Sequence, residues 1–465
     1  MTQERAGKPP ESAPGTARRG GFVPALEGMR ALAAVGVMTT HVAFQTASAG
    51  DSVLGRVFGR LDLAVALFFA LSGFLLWRPH AQVARGLRPR PGTGRYYRSR
   101  IVRIMPAYLV VVVLSLWLLP LGGAVDVTTW LANLTLTQIY VPFTLTAGLT
   151  QLWSLSVEMT FYLVLPLIAW AMVRLRGDSV RLRVPILAVA GVAGIFWGYV
   201  NLPVPAGVNT DTWLPGHAAW FVAGMVLAEM AATALAGRGA AAHETAATET
   251  ATGSGWRGRF RRIITRPAPM IAVAALAYAL ACTNLAGPPG LVAPSAWQYA
   301  CKIALGAVIG FALLAPLTLV PPGEERDRGA HRLLSSPVAL ALGRWSYAIF
   351  LWHVAVLAMV FPAFGISMFS GHMLFVWVAT LVLSVLVSAA SYALVEEPAR
   401  RALVRWEARR DQARRDQARR DQARRDQARR GQERRDQAAR ARASSRTGVG
   451  TADTDTATSA INAGS

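Results

Sequence analysis

Long uncharged stretches alternate with short arginine-rich ones along most of this chain. Ten stretches approach the roughly 20 apolar residues that cross a bilayer as a helix. They are 24–45, 61–77, 101–120, 153–173, 184–202, 213–234, 268–286, 298–320, 338–362 and 372–395. The pattern predicts an all-α polytopic membrane protein of about ten spans. The loops carry a second pattern. Basic residues crowd the N-terminus and the loops after spans two, four, six, eight and ten. The alternate loops 121–152, 203–212, 287–297 and 363–371 hold no Lys or Arg. Only the first outer loop departs, with Arg56 and Arg60. The positive-inside rule then places both termini in the cytoplasm. The expected location is the plasma membrane, with lipid as an obligatory partner.

One stretch tests this count. Residues 129–150, TWLANLTLTQIYVPFTLTAGLT, are uncharged and long enough to cross. A crossing there would put every later arginine-rich loop outside. The stretch is read as an outer loop, partly re-entrant or lying on the membrane. Arg18 and Arg19 before the first apolar run resemble a signal peptide. That run is longer than the usual 7–15 residues and Arg30 interrupts it, so it is read as an uncleaved span.

Composition sharpens the class. The 465 residues are 53% hydrophobic and only 16% charged. The net charge of +22 resembles that of a nucleic-acid binder, but it lies in the loops and tail, where it is first a topology signal. No nucleic-acid partner is expected. Two cysteines, Cys282 and Cys301, make no disulfide framework and no four-thiolate zinc site. No metal site is expected. Residues 1–21 read as a disordered cytoplasmic segment, 22–401 as the transmembrane domain, and 236–254 as a linker within it. Residues 402–446 form an arginine-rich tail, EARRDQARRDQ and onward, repeating every five residues. That period keeps no helix face apolar, so the tail is a polar helix or disordered. Residues 447–465 read as disordered.

Ionisable groups inside spans cost several kcal/mol and are functional candidates by default. In span one, Arg30 lies in the inner third and His41 near the outer end. Eleven residues rotate a helix by about 1100° and raise it about 16 Å, so the two share a face at different depths. In span four, Ser154, Glu158 and Tyr162 recur every fourth residue on one face. Glu158 reaches a depth comparable to His41, and an imidazole is a suitable partner for it. The competing reading is a structural ion pair. In span three, Arg100 and Arg103 share a face at the cytoplasmic entrance. Positive-inside explains their charge but not their phase. Arginine forks suit phosphate oxygens, and Arg30 lies at a similar depth. In span nine, Ser346, Tyr347 and His353 are candidates for an outer cavity, with core packing the competing role for His353. Span two begins with Asp62, a further cavity candidate. Its Ser72-Gly73 pair is read as a close helix contact.

One histidine beside one carboxylate is a general-base pair. An inner arginine group implies an anionic cosubstrate. Together they point to group transfer from a phosphate-bearing donor, and an acyl-coenzyme A thioester fits. Neither a phosphate-cradling glycine loop nor a dinucleotide fingerprint is present.

These segments also carry a resemblance. LEGMRALAAVGVMTTH, LFFALSGFLL, RSRIVRIMPAY, LWSLSVEMTFYLVLP, GRWSYAIFLWH and VEEPARR resemble, in order, the motifs of the membrane acyltransferase-3 family. The matches cover about residues 22–401. The resemblance implies transfer of an acyl group, often acetyl, from coenzyme A to a hydroxyl. Family acceptors include surface polysaccharides, peptidoglycan sugars and macrolides. It implies His41 as catalytic base with Glu158, and Arg30, Arg100 and Arg103 as donor contacts. No permanently bound cofactor is implied; acyl-CoA is a cosubstrate. Glu27 stands for the usual Asp of the first motif, and Met159-Thr160 for a more polar pair. The family's extra hydrolase-like domain is not seen after span ten, so direct transfer is expected. A proton-coupled transporter with His41 and Glu158 as relay, and a scaffold acting through the tail, are the rival readings.

Overall fold

The computed structural model describes residues 23–119, 125–241, 256–288, 290, 292–320 and 329–447. The expected disordered ends and most of the 236–254 linker lie outside these. Helices dominate. The first half holds α1 (Ala25–Gln45), α2 (Val53–Gly59), α3 (Ala64–Ala84), α4 (Thr93–Leu118), α5 (Val127–Leu134), α6 (Trp153–Ala171) and α7 (Arg183–Ile195). The second holds α8 (Leu214–Ala241), α9 (Trp256–Ile264), α10 (Pro267–Ala281), α11 (Ala296–Thr318), α12 (Gly329–Leu334), α13 (Pro337–Ala363), α14 (Met373–Ser391) and α15 (Glu397–Thr447). Each of the ten expected spans has its helix, in order. Among the described residues, eight helical segments are long and apolar enough to cross a membrane, and α10 is a shorter apolar one. The chain is an all-α, multi-pass membrane protein.

The first span is the informative exception. Glu27 and Arg30 keep α1 off the list of strongly apolar helices, yet Ala33, Ala34, Met38, Val42 and Ala43 are fully or nearly fully buried. It packs on α13 and α3. A helix clothed by protein rather than lipid needs less hydrophobicity, and its polar groups face neighbours instead of acyl chains.

Close crossings set the frame. A Cβ at Gly224 of α8 would lie 1.8 Å from the Ala70 carbonyl oxygen, and one at Gly73 of α3 2.1 Å from that of Phe221. Only glycine lets α3 and α8 meet backbone to backbone. Gly73 therefore faces α8, while its neighbour Ser72 turns to α6.

The 129–150 stretch forms no spanning helix. After α5 it runs through turns into a 3-10 turn at Thr150–Leu152. The Asp126 side chain caps α5 by accepting from the Thr129 backbone, and the Thr129 hydroxyl and backbone N–H together hold that carboxyl below its ordinary range. The stretch is stitched into the bundle by buried amides. Gln151 Nε2 donates to the Leu351 carbonyl at 2.8 Å, halfway along α13. Asn133 Nδ2 donates to Thr129 and Thr144 carbonyls at 2.9 and 2.8 Å, and Tyr108 of α4 donates to the Asn133 carbonyl. Irregular backbone survives among membrane helices only when so satisfied.

Contacts divide the chain near Glu397. Beyond it, the repeat tail is helical rather than irregular, with α15 running 51 residues. Its five-residue repeat places Gln412 four before Asp416 and Gln417 four before Asp421, each pair joined at 3.1–3.2 Å. Such i,i+4 contacts, not an apolar face, support it. At the other linker end, α8 extends to Ala241, so the first linker residues are helical.

Candidate active site

Helices α1, α3, α4, α6 and α13 line a narrow chamber. The helical phases read from the sequence converge here. Arg30 comes from α1, Arg103 from α4, and Ser154, Glu158 and Tyr162 from one face of α6. Ser346 and Tyr347 come from α13. Phe68, Phe69 and Phe350 supply apolar wall.

The polar groups differ in what they leave free. Ser154 donates to the Gln151 carbonyl at 3.2 Å, Ser346 to Gly343 at 2.8 Å, and Tyr347 to Ile104 at 2.9 Å. These three hydroxyls are spent on backbone and offer only lone pairs. Glu158 is the chamber's anion. Its Oε1 accepts from Tyr162 at 2.5 Å and from Ser72. Ser72, read from sequence as a packing residue, is thus part of the site. A small serine before glycine fits both roles, and sequence alone does not separate them.

The cations stand off. Arg30 pairs with Glu27 at 3.5 Å, one helical turn away, and within electrostatic reach of Arg103, Tyr162 and Glu158. Arg100 does not line the chamber, but it acts electrostatically on Tyr162, Arg103 and Glu158. Its buried Nε has no hydrogen-bond partner. The result is a chamber edged by two guanidinium groups, with a third behind them and a single carboxylate inside, an arrangement suited to an anionic or strongly polarised ligand.

His41, His353 and Asp62 lie outside this lining. The His41 and His353 rings sit 5.2 Å apart, centroid to centroid. His353 is completely buried. Its Nδ1 faces the Ile349 and Phe350 carbonyls at 3.1 and 2.9 Å, which assigns the proton to Nδ1 and leaves Nε2 a bare acceptor. Nε2 is buried without a partner. The pair stands just beyond the chamber wall, since the Phe350 ring is 6.0 Å from that of His353.

The expected contact between Glu158 and His41 is not formed. Among the described residues Glu158 makes no hydrogen bond or ion pair with His41. Equal depth on two helices does not make neighbours; Glu158 turns toward α3 and the arginines. The carboxylate that acts on His41 is Asp62. Asp62 Oδ2 pairs with Lys302 Nζ at 2.6 Å, and its buried Oδ1 is unpartnered.

A second buried carboxylate escaped sequence reasoning. Glu229 of α8 accepts from Trp77 Nε1 at 2.8 Å and pairs with Arg85 Nη1 at 2.5 Å and Arg183 Nε at 2.7 Å. The criterion that selected Glu158, an ionisable group inside a span, applied equally to it.

An all-α bundle enclosing a charged chamber, with a histidine pair at its edge, defines a membrane-embedded protein that handles a polar ligand inside its helices. The comparisons narrow this class. The acyltransferase-3 family profile, an acyltransferase domain, matches residues 23–393. The chain belongs to that family and is an enzyme that transfers acyl groups. It is 27% identical over 407 residues to acyltransferase MdmB of Streptomyces mycarofaciens, covering 82% of this chain and 93% of that protein. It is 27% identical over 194 residues to the peptidoglycan O-acetyltransferase OatA of Listeria monocytogenes, covering 38% of this chain and 28% of that protein. Nodulation protein 10 of Rhizobium leguminosarum is 32% identical over 164 residues, 30% of this chain and 42% of that protein. No solved structure matches the chain.

Proposed function

We propose that this protein moves an acyl group, acetyl in the first instance, from cytoplasmic acyl-CoA to a hydroxyl of a carbohydrate or of a glycosylated or macrolide-type small molecule at the plasma membrane. The observation that carries the reading is the convergence of Arg30, Arg103, Glu158 and Tyr162 on one chamber whose Phe350 neighbours His353, the ring beside His41. The donor's acyl end enters the chamber from the arginine side. Arg30 and Arg103, with Arg100 behind them, draw electron density from the donor and oppose its negative charge. Glu158, held by Tyr162, balances their charge across the chamber without bonding to them.

His41 acts as general base at the Phe350 end. It takes the proton from the acceptor hydroxyl as the oxygen attacks the thioester carbonyl. The carbonyl–sulfur bond then breaks, and coenzyme A leaves as thiolate that collects the proton from His41. General-base assistance of this kind contributes on the order of 10²–10⁴-fold. His353, its Nδ1–H anchored on backbone, sets the orientation of the neighbouring ring.

The test is incubation of purified full-length protein with acetyl-CoA labelled in the acetyl group and with hydroxylated acceptors, glycan and macrolide-type. Label in an alkali-labile ester on the acceptor is expected. Absence of any coenzyme A-dependent transfer across both acceptor classes overturns the reading.

A further inference from the structure

A second cavity, with about 670 Å³ of empty space, opens among the arginine-rich loops. Its wall includes Arg90, Arg176, Arg183, His80 and Trp170. Arg183 is committed to Glu229. Arg90 and Arg176 are not. Both are exposed, and among the described residues neither side chain makes a hydrogen bond or ion pair. The segment 174–183 has one carboxylate, Asp178, and it does not line the cavity. Trp170 presents its indole with 74% of its surface free.

The position of this cavity matters more than its charge. Helices α3, α4 and α6 line both cavities. Along α3 the lining passes from Ser72 to His80, about 12 Å of helix rise. Along α4 it passes from Arg103 to Thr93, about 15 Å, and along α6 from Glu158 to Trp170, about 18 Å. The charged chamber and the basic mouth thus lie in line between the same three helices, with Tyr96 and Tyr97 of α4 donating across to the Tyr162 and Leu163 carbonyls of α6 between them. A pantetheine arm spans about four extended residues, ~14 Å, which matches that separation.

We propose that the mouth at Arg90, Arg176 and Trp170 binds the nucleotide end of the acyl donor, a 3′-phosphorylated adenosine diphosphate. Arg90 and Arg176 meet the phosphates as unpaired forks, and Trp170 stacks on the adenine. The pantetheine arm then passes between α3, α4 and α6, displacing the Tyr96 and Tyr97 bridges, and delivers the thioester to Arg30, Arg103 and Glu158. The inner arginines are left to the acyl end, and the phosphates stay where water and counter-charge are available. This inference rests on the acyl-CoA reading above.

The experiment measures equilibrium binding of radiolabelled coenzyme A to the full-length protein in phosphatidylcholine nanodiscs, with 3′,5′-adenosine diphosphate and pantetheine as competitors. The wild-type protein is expected to bind coenzyme A, and the nucleotide to displace it far better than pantetheine. The double variant Arg90→Ala/Arg176→Ala should weaken coenzyme A binding by at least about tenfold. Arg90→Glu should weaken it further. Neither side chain supports other residues, so folding should be unchanged, which thermal unfolding checks. Wild-type binding of coenzyme A with unaltered affinity in both variants overturns this inference and leaves the acyl-CoA reading standing. No binding of coenzyme A to the wild-type protein overturns both. A lipid headgroup is the other source of phosphate. If phosphatidylglycerol nanodiscs abolish coenzyme A binding, and the variants lose bound phosphatidylglycerol but not coenzyme A affinity, the mouth is a lipid site and the proposal fails.

Discussion

Two carboxylates lie inside this bundle, and they are used in opposite ways. Glu229 is 0% exposed and touches three donors directly: Trp77, Arg85 and Arg183. Arg183 also lies over the Trp77 ring, 5.2 Å from its centroid, and donates to the Met172 carbonyl at 3.0 Å. The carboxylate is bonded to both guanidinium groups at contact distance, and the knot ties the end of α3 and α8 to the start of α7. Glu158 is held by two hydroxyls, while its arginines remain at electrostatic rather than contact distance. The first arrangement uses up its charge and stores cohesion. The second keeps its field available across an open space. A buried carboxylate marks a site when its cations are near but not bonded, and a brace when they are bonded.

The same substitution at both positions should separate the two roles. Glu229→Gln leaves two buried guanidinium groups without their anion, a cost of about 3–5 kcal/mol. Thermal unfolding in detergent should show that loss, and the protein that remains folded should turn over normally. Normal stability in this variant would remove the contrast. Glu158→Gln keeps shape and hydrogen-bonding capacity but removes the chamber's negative charge. It should lower acyl transfer by about 10²-fold, the scale of losing one preorganised electrostatic group, with little change in melting temperature. Tyr162→Phe removes one hydroxyl donor from Glu158, worth about 1 kcal/mol, so a loss of several-fold in kcat/KM is expected. Deleting residues 407–446 should do least, changing turnover by less than about twofold, because the tail's contacts are exposed i,i+4 pairs. A large loss on deletion would favour the scaffold reading of the tail.

Much of this was legible in one dimension. The alternation of apolar runs and arginine loops gave every spanning helix, because bilayer thickness and charge asymmetry act on local sequence. The chamber was legible in part: Arg30 and Arg103 were singled out as an inner group and the Ser154–Glu158–Tyr162 face as an outer one, and the structure brings both to one chamber. What failed was azimuth. Depth placed Glu158 level with His41, but rotation of α6 about its axis depends on the crossings it makes. Those turned it toward Ser72. His353 sat beside His41 for the same unreadable reason, and Asp62, six residues before the Phe68-Phe69 pair of α3, came within reach of the imidazole through the fold of the turn at Arg60–Leu63. The 129–150 stretch was correctly denied a crossing by charge alone, but its insertion halfway along α13 required knowing where Gln151 finds its acceptor.

The central claim is that chemistry occurs at His41 on a donor held in the arginine-edged chamber. It is tested most directly with His41→Ala protein, purified, shown to be folded, and supplied with labelled acetyl-CoA and acceptor. The account predicts that transfer falls to background while coenzyme A still binds with wild-type affinity. Transfer at the wild-type rate in that folded variant would contradict it.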